Sequence, residues 1–137
     1  QFLTFTTPPN LQAAVAYGLA KDDAYFAGLT TDMTTRRDRF AAGLRRLGLG
    51  VLDCQGTYFV NVDITGLGFA DDEAACRTLV ERAGVAAIPV SAFHAEAPLR
   101  SVIRFCFAKQ EAVLDEALAR LDRFSRSRRS QFTQLHE

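Results

Sequence analysis

The chain of 137 residues has no tryptophan, one methionine, two histidines and three cysteines, and its sixteen basic residues balance sixteen acidic ones. Each scarcity excludes something. Cys54, Cys76 and Cys106 are odd in number, far apart and without a CxxC pair, so neither a disulfide framework nor a zinc site is indicated, and their usage fits a reducing, cytoplasmic setting. His94 and His136 stand alone, whereas a metal site needs several converging ligands. Balanced charge provides no basic field for nucleic acid or an anionic membrane surface. Residues 1–20 lack any charge, yet Pro8 and Pro9 interrupt them and Thr, Asn and Gln populate them. No membrane helix is read there.

What remains is the composition of an ordinary globular protein, 48% hydrophobic and 23% charged. Its length corresponds to about one domain, able to bury about two-thirds of its unfolded surface. It opens at Gln1, directly in an apolar run, which reads as an internal cut in a longer protein.

Along the chain, Pro8 and Pro9 end an extended start, and Asn10 is expected to cap a helix running to about Leu19. This charge-free helix needs cover, and without it apolar surface is left open. Asp22 and Asp23 open a second helix in which Phe26, Leu29, Met33, Phe40, Leu44 and Leu47 recur at steps of three, four and seven, with Gly48 as its stop. Its Arg36, Arg39, Arg45 and Arg46 form a solvated face. A hairpin follows, from Val51–Leu52 through Gln55–Gly56 to a strand Thr57–Asp63. Asp71, Asp72 and Glu73 open a helix closed by Gly84, with Cys76, Leu79, Val80 and Ala83 on its apolar side. A buried strand Val85–Ile88 ends at Pro89, residues 91–99 form a loop, Ser101–Phe107 a strand, and Glu111 to about Phe124 an amphipathic helix. The remainder, SRSRRSQFTQLHE, reads as a basic, frayed tail. Strands alternating with helices make an α/β, two-layer arrangement, with a short mixed sheet covered by helices.

Arg104 is the most informative residue. It lies in the strand Ser-Val-Ile-Arg-Phe-Cys-Phe, where Val102, Arg104 and Cys106 share one face and Ile103, Phe105 and Phe107 the other. Arginine cannot shed its proton, so a charge placed there must meet an anion. The residues leave two alternatives open: a structural salt bridge to Asp53 or Asp63, or the carboxylate of a ligand. The cysteines lack a neighbouring base and the glycines precede no helix as a phosphate loop would.

The stretches QFLTFTTPPNLQAAVA, GTYFVNVD, AGVAAIPVSAF and SVIRFCFAKQEAVLDEALARL resemble, in order from Gln1 to about Phe124, the C-terminal part of fold type I, class I/II pyridoxal-phosphate-dependent aminotransferases. The subgroup is that of the kynurenine, methionine and N-succinyldiaminopimelate aminotransferases. The resemblance implies that the protein moves an amino group between an amino acid and a 2-oxo acid, with pyridoxal phosphate as cofactor and a homodimer as the working unit. It also implies that Arg104 grips the substrate α-carboxylate, that Phe5, with Thr6 beside it, reaches across the dimer into the neighbour's pocket, and that Phe93 is a pocket wall. In such enzymes the Schiff-base lysine lies upstream of the QFLTF segment. The two lysines here, Lys21 and Lys109, do not match it, so no catalytic residue is carried over and the chain alone is expected to be inactive.

On this reading residues 1–20 are a remnant of a large domain and dimer interface, 21–48 a long connecting helix, 49–124 the small C-terminal domain and 125–137 the tail. Two alternatives stand beside it: a carbon–sulfur β-lyase on the same scaffold, and a stand-alone small-carboxylate-binding or regulatory module without catalysis.

Overall fold

The computed structural model describes the backbone of residues 7–134 and the side chains of residues 7–128. Phe5 and Thr6 lie outside the described residues. Two compact units divide at Asp32 and Met33.

In the first unit, α1 spans Pro9–Leu19 and α2 begins at Asp23. Asn10, expected as a cap, lies inside α1. Pro8 takes the cap position without a side-chain bond, and its carbonyl accepts from the N–H groups of Leu11 and Gln12 at 2.9 and 3.0 Å. Pro9, with a preset φ and no N–H to satisfy, starts the helix one residue earlier. α1 buries none of its residues; Leu11, Val15, Tyr17 and Leu19 are exposed, as are Tyr25, Phe26 and Leu29 of α2. The apolar surface anticipated from the missing charge is there. Asp22 caps α2, its Oδ1 accepting from the Tyr25 N–H at 3.0 Å.

In the second unit, α2 continues to Arg46. Gly48 adopts φ +82°, its N–H donates to Arg45 O at 2.9 Å, and that of Leu49 to Leu44 O at 3.2 Å, a Schellman closure. There follow β1 (Gly50–Val51), β2 (Phe59–Asp63), α3 (Asp72–Ala83), β3 (Ile88–Pro89) leading into a single 3₁₀ turn (Val90–Phe93), β4 (Val102–Cys106) and α4 (Glu111–Gln134). Asp71 caps α3 through the Ala74 N–H at 2.8 Å, and Gly84 closes it at φ +64°.

The sheet order is β1-β2-β4-β3. All three pairings are antiparallel, so the expected mixed sheet is corrected to an antiparallel one within the two-layer architecture. One face is core: Val60, Val62, Ile103, Phe105 and Phe107 are buried against Phe40 and Leu44 of α2, Ala75 and Leu79 of α3, and Leu114 and Leu121 of α4. Each such aliphatic or aromatic side chain contributes about 1.5–3 kcal/mol. Phe40 meets Phe105 edge to face at 6.1 Å between centroids. Arg39 of the solvated face, itself exposed, bridges to Glu111 and Asp115 of α4, at 2.7 and 2.6 Å.

Three expectations shift. The strand at Val85–Ile88 is only Ile88–Pro89; Val85 is buried but outside the ladder. Val80 is exposed, not apolar lining. The last helix continues past Phe124 through the basic segment to Gln134. Arg126 pairs one turn back with Asp122 at 2.8 Å, and Arg128 lies over the Phe69 ring at 4.2 Å and donates to Gly68 O at 3.2 Å. No Pro or Gly interrupts this stretch, and contacts of this kind turn a polar run into a docked helix end.

Candidate functional site

Arg104 sits at the middle of β4, flanked by β2 on one side and β3 on the other, directly opposite Asn61 and Ile88. Because side chains alternate across a strand, Ile103 and Phe105 are committed to the core while Arg104 points to the opposite face, where it is half-buried. Phe59 and Asn61 share that face from β2. The Arg104 Nε–H donates to Asn61 Oδ1 at 3.1 Å. Its guanidinium carbon lies over the Phe93 ring at 4.8 Å and the Phe59 ring at 5.2 Å from the centroids.

Among the described residues Arg104 forms no ion pair. Asp63, one of the two structural partners considered, turns its Oδ1 to the Thr65 N–H at 2.8 Å, and that hydrogen bonding holds its carboxyl below the usual range. Asp53, the other, lines the same hollow as Arg104 without closing a bridge. This hollow, of about 230 Å³, is also bounded by Cys54, Thr57, Phe59 and Asn61. Thr57 holds φ +63°, an uncommon state for a β-branched residue and one that costs on the order of 1–3 kcal/mol. The site is thus a permanently charged fork on a rigid strand, stacked by aromatic rings and open to solvent on one edge. Such a group suits a planar carboxylate.

Phe93, stacked on Arg104 but not part of the lining of the hollow, is held through its turn. Asp72, fully buried, accepts from the Ser91 N–H at 2.7 Å and the Ser91 Oγ–H at 2.9 Å, tying the 3₁₀ turn that carries Phe93 to the start of α3. His94 Nδ1 lies 3.1 Å from Val90 O, part of the same turn. Cys76 is buried behind Asp72, and burial together with that carboxylate pushes its thiol up to about 11. No nucleophile is made ready there.

Of the residues read from sequence, the structure brings Arg104 and Phe93 together. Sequence reasoning missed Asn61, Phe59 and the Asp72–Ser91 pin. The β2–β4 register would have revealed the first two, since GTYFVNVD and SVIRFCF place them on the face of Arg104 once paired. The pin joins residues 19 apart with no periodic signal.

Among the described residues the cofactor implied by the resemblance finds no holder. Lys21 donates to the Tyr17 hydroxyl at 2.8 Å and lies over that ring, while the exposed Lys109 engages Arg36 through its backbone carbonyl. Neither lines the hollow, so the described residues around it offer no lysine for pyridoxal phosphate, and no step through it is derived. Among the described residues there is also no cluster of metal-ligating side chains and no helix long and apolar enough to cross a membrane.

Comparison with known proteins agrees with this architecture. Residues 1–121 match the family aminotransferase class I and II. A probable N-succinyldiaminopimelate aminotransferase of Mycobacterium tuberculosis is 41% identical over 130 residues, which cover 88% of this chain and 33% of that protein. Methionine aminotransferase of Escherichia coli is 37% identical, over 88% of this chain and 31% of its own length. The solved structure of N-succinyldiaminopimelate aminotransferase from M. tuberculosis superposes with a TM-score of 0.80 at 43% identity, covering 89% of this chain and 32% of that one. The chain therefore spans about a third of the length of these relatives, and with a family match over most of its residues it belongs to the class I and II aminotransferases.

Proposed function

We propose that this chain acts as the substrate-carboxylate-binding part of an amino-acid aminotransferase, exchanging an amino group between an amino acid and a 2-oxo acid. The observation that carries the proposal is Arg104: a half-buried guanidinium on a central strand, facing a hollow and lacking a carboxylate partner among the described residues. In this reading Arg104 fixes the α-carboxylate and Phe93 walls the pocket. Residues 49–124 close over the substrate, α2 links them to a larger body, and Phe5 and Thr6 serve the neighbouring subunit of a homodimer.

On this reading pyridoxal phosphate, which supplies the electron sink in this family, is held by the larger body of the enzyme. The activities named for the relatives, on N-succinyldiaminopimelate and methionine, set the range of amino donors to assay. The family match does not favour a binding module without catalysis.

The test is Arg104→Lys in the enzyme that carries this chain. Lysine keeps the charge but loses the planar fork. The loss of one charge-assisted hydrogen bond predicts a fall in kcat/KM of about ten- to a hundredfold, with Tm nearly unchanged. A variant with lowered Tm and near-normal kcat/KM per folded molecule refutes the carboxylate role.

A further inference from the structure

The direction in which Arg104 presents its charge is set by the neighbouring strand. Asn61 is its cross-strand partner, and Asn61 Oδ1 receives the Arg104 Nε–H at 3.1 Å. A guanidinium can grip a carboxylate with two parallel bonds along either of two kinds of edge, the side edge formed by Nε and one Nη, or the end formed by both Nη atoms. Asn61 occupies the side edge. The rings of Phe59 and Phe93 lie against the guanidinium, and faces offer no N–H in any case. What is left to an incoming anion is the Nη1/Nη2 end.

The bond also orients the amide. Nε–H can only donate, so Asn61 turns its oxygen toward Arg104 and its Nδ2–H₂ away, a donor that has no partner among the described residues.

We propose that Asn61 is a positioning residue that locks Arg104 for end-on recognition, so that a ligand carboxylate is held by Nη1 and Nη2 and never by Nε. The proposal rests on the carboxylate reading of the site given above. A merely structural Asn61 would contribute one cross-strand hydrogen bond and leave the mode of recognition untouched.

The experiment follows the arginine side-chain resonances of the ¹⁵N-labelled enzyme that carries this chain during titration with acetate and with 2-oxoglutarate, using Arg104→Lys to assign the Arg104 signals. In the unsubstituted enzyme the Arg104 Hε should exchange slowly with solvent and hold its shift while the Nη signals move. In Asn61→Ala, Hε protection is lost, Nε joins the response and binding weakens about three- to tenfold. Asn61→Asp places an anion on Arg104, so Hε stays protected while added carboxylate is excluded. Should alanine unfold the sheet, Asn61→Thr, a strand former too short to reach Nε, gives the same readout.

A shift of Nε with ligand in the unsubstituted enzyme overturns the proposal. So does an Asn61→Ala enzyme that loses Hε protection but keeps its affinity and Nη-only response; that result marks Asn61 as structural and leaves the carboxylate site standing. If neither carboxylate moves any Arg104 resonance in the unsubstituted enzyme, the carboxylate reading itself falls, and end-on recognition falls with it.

Discussion

Replacing Asp72 with alanine tests whether a buried pin holds the 3₁₀ turn that carries Phe93 against Arg104. The carboxylate is fully buried and receives two hydrogen bonds, 2.7 and 2.9 Å long, from the backbone and hydroxyl of Ser91. Each bond to a charged acceptor is worth about 1.5–3 kcal/mol, and truncation strands both donors in the interior. Relief of the carboxylate's own desolvation offsets part of this, which leaves a net loss of about 2–4 kcal/mol. At about 4 °C per kcal/mol for a chain of this size, Tm should fall by roughly 10 °C.

Ser91→Ala removes only the hydroxyl and should cost about 1–2 kcal/mol. The double variant should lose less than the sum, since the two residues share one interaction. Because the turn held by Ser91 also carries Phe93, the Arg104 resonances should shift in Asp72→Ala although Asp72 does not touch Arg104. Chemical denaturation of the four chains, followed by circular dichroism, gives the cycle. An Asp72→Ala chain within 0.5 kcal/mol of the unsubstituted one would refute the reasoning.

Three further outcomes follow, two from the buried Cys76 and one from the exposed Gly84. Cys76, buried and with its thiol pushed up to about 11, should resist a disulfide reagent at pH 8, where only about one thiol in a thousand is ionised, while half-buried Cys54 and Cys106 react first; early labelling of Cys76 in the folded chain counts against this. Because the folded chain holds that proton more tightly than the unfolded one, Cys76 favours folding below pH 9 and its contribution fades as the pH rises toward 11, a slope that Cys76→Ala should flatten in denaturation curves. Gly84, at φ +64° with Arg120 Nη1 2.7 Å from where a Cβ would stand, should lose about 1–2 kcal/mol on Gly84→Ala and less on Gly84→Asn, since asparagine tolerates the left-handed region. Equal costs for the two would point to the Arg120 clash rather than to the backbone.

The elements with a periodic or capped signature were legible. The second half of the α2 repeat, the repeat of α4, the acidic start and glycine stop of α3, and the alternation around Arg104 all appear where the residues put them, because local propensity and burial agree there. Asn10 misled because a proline pair can start a helix without a side-chain cap. The expected mixed sheet reflects a limit of alternation, which shows that strands and helices follow one another but not how strands pair. Antiparallel order came from contacts between residues about 40 apart, such as Asn61 with Arg104. The tail read as frayed because its composition is polar and basic. What folds Arg128 back is Phe69, some 60 residues earlier in the chain. The site divides in the same way: Arg104 announces itself as a charge inside a core strand, whereas Asn61 is one polar residue among many until the register sets it opposite.

If the Arg104 hollow takes a carboxylate, binding and folding are linked. The residue lies on a central strand and touches β2 through Asn61 and the 3₁₀ turn through Phe93, so a ligand there is bound by the folded chain and not by the unfolded one. At a hundred times its dissociation constant it should add about 2.7 kcal/mol of stability, which is about 10 °C in Tm at the scaling used above. Arg104→Lys should leave the ligand-free Tm within a few degrees, because no carboxylate among the described residues depends on the fork and the stacked rings can still cover an ammonium. It should remove most of the ligand-induced rise, because one ammonium cannot make two parallel bonds to a carboxylate. Chloride at equal ionic strength supplies the control, since a rise that it reproduces is general screening and not recognition. A rise of the same size in Arg104→Lys as in the unsubstituted chain would place the carboxylate elsewhere and leave the guanidinium as a structural feature of the sheet.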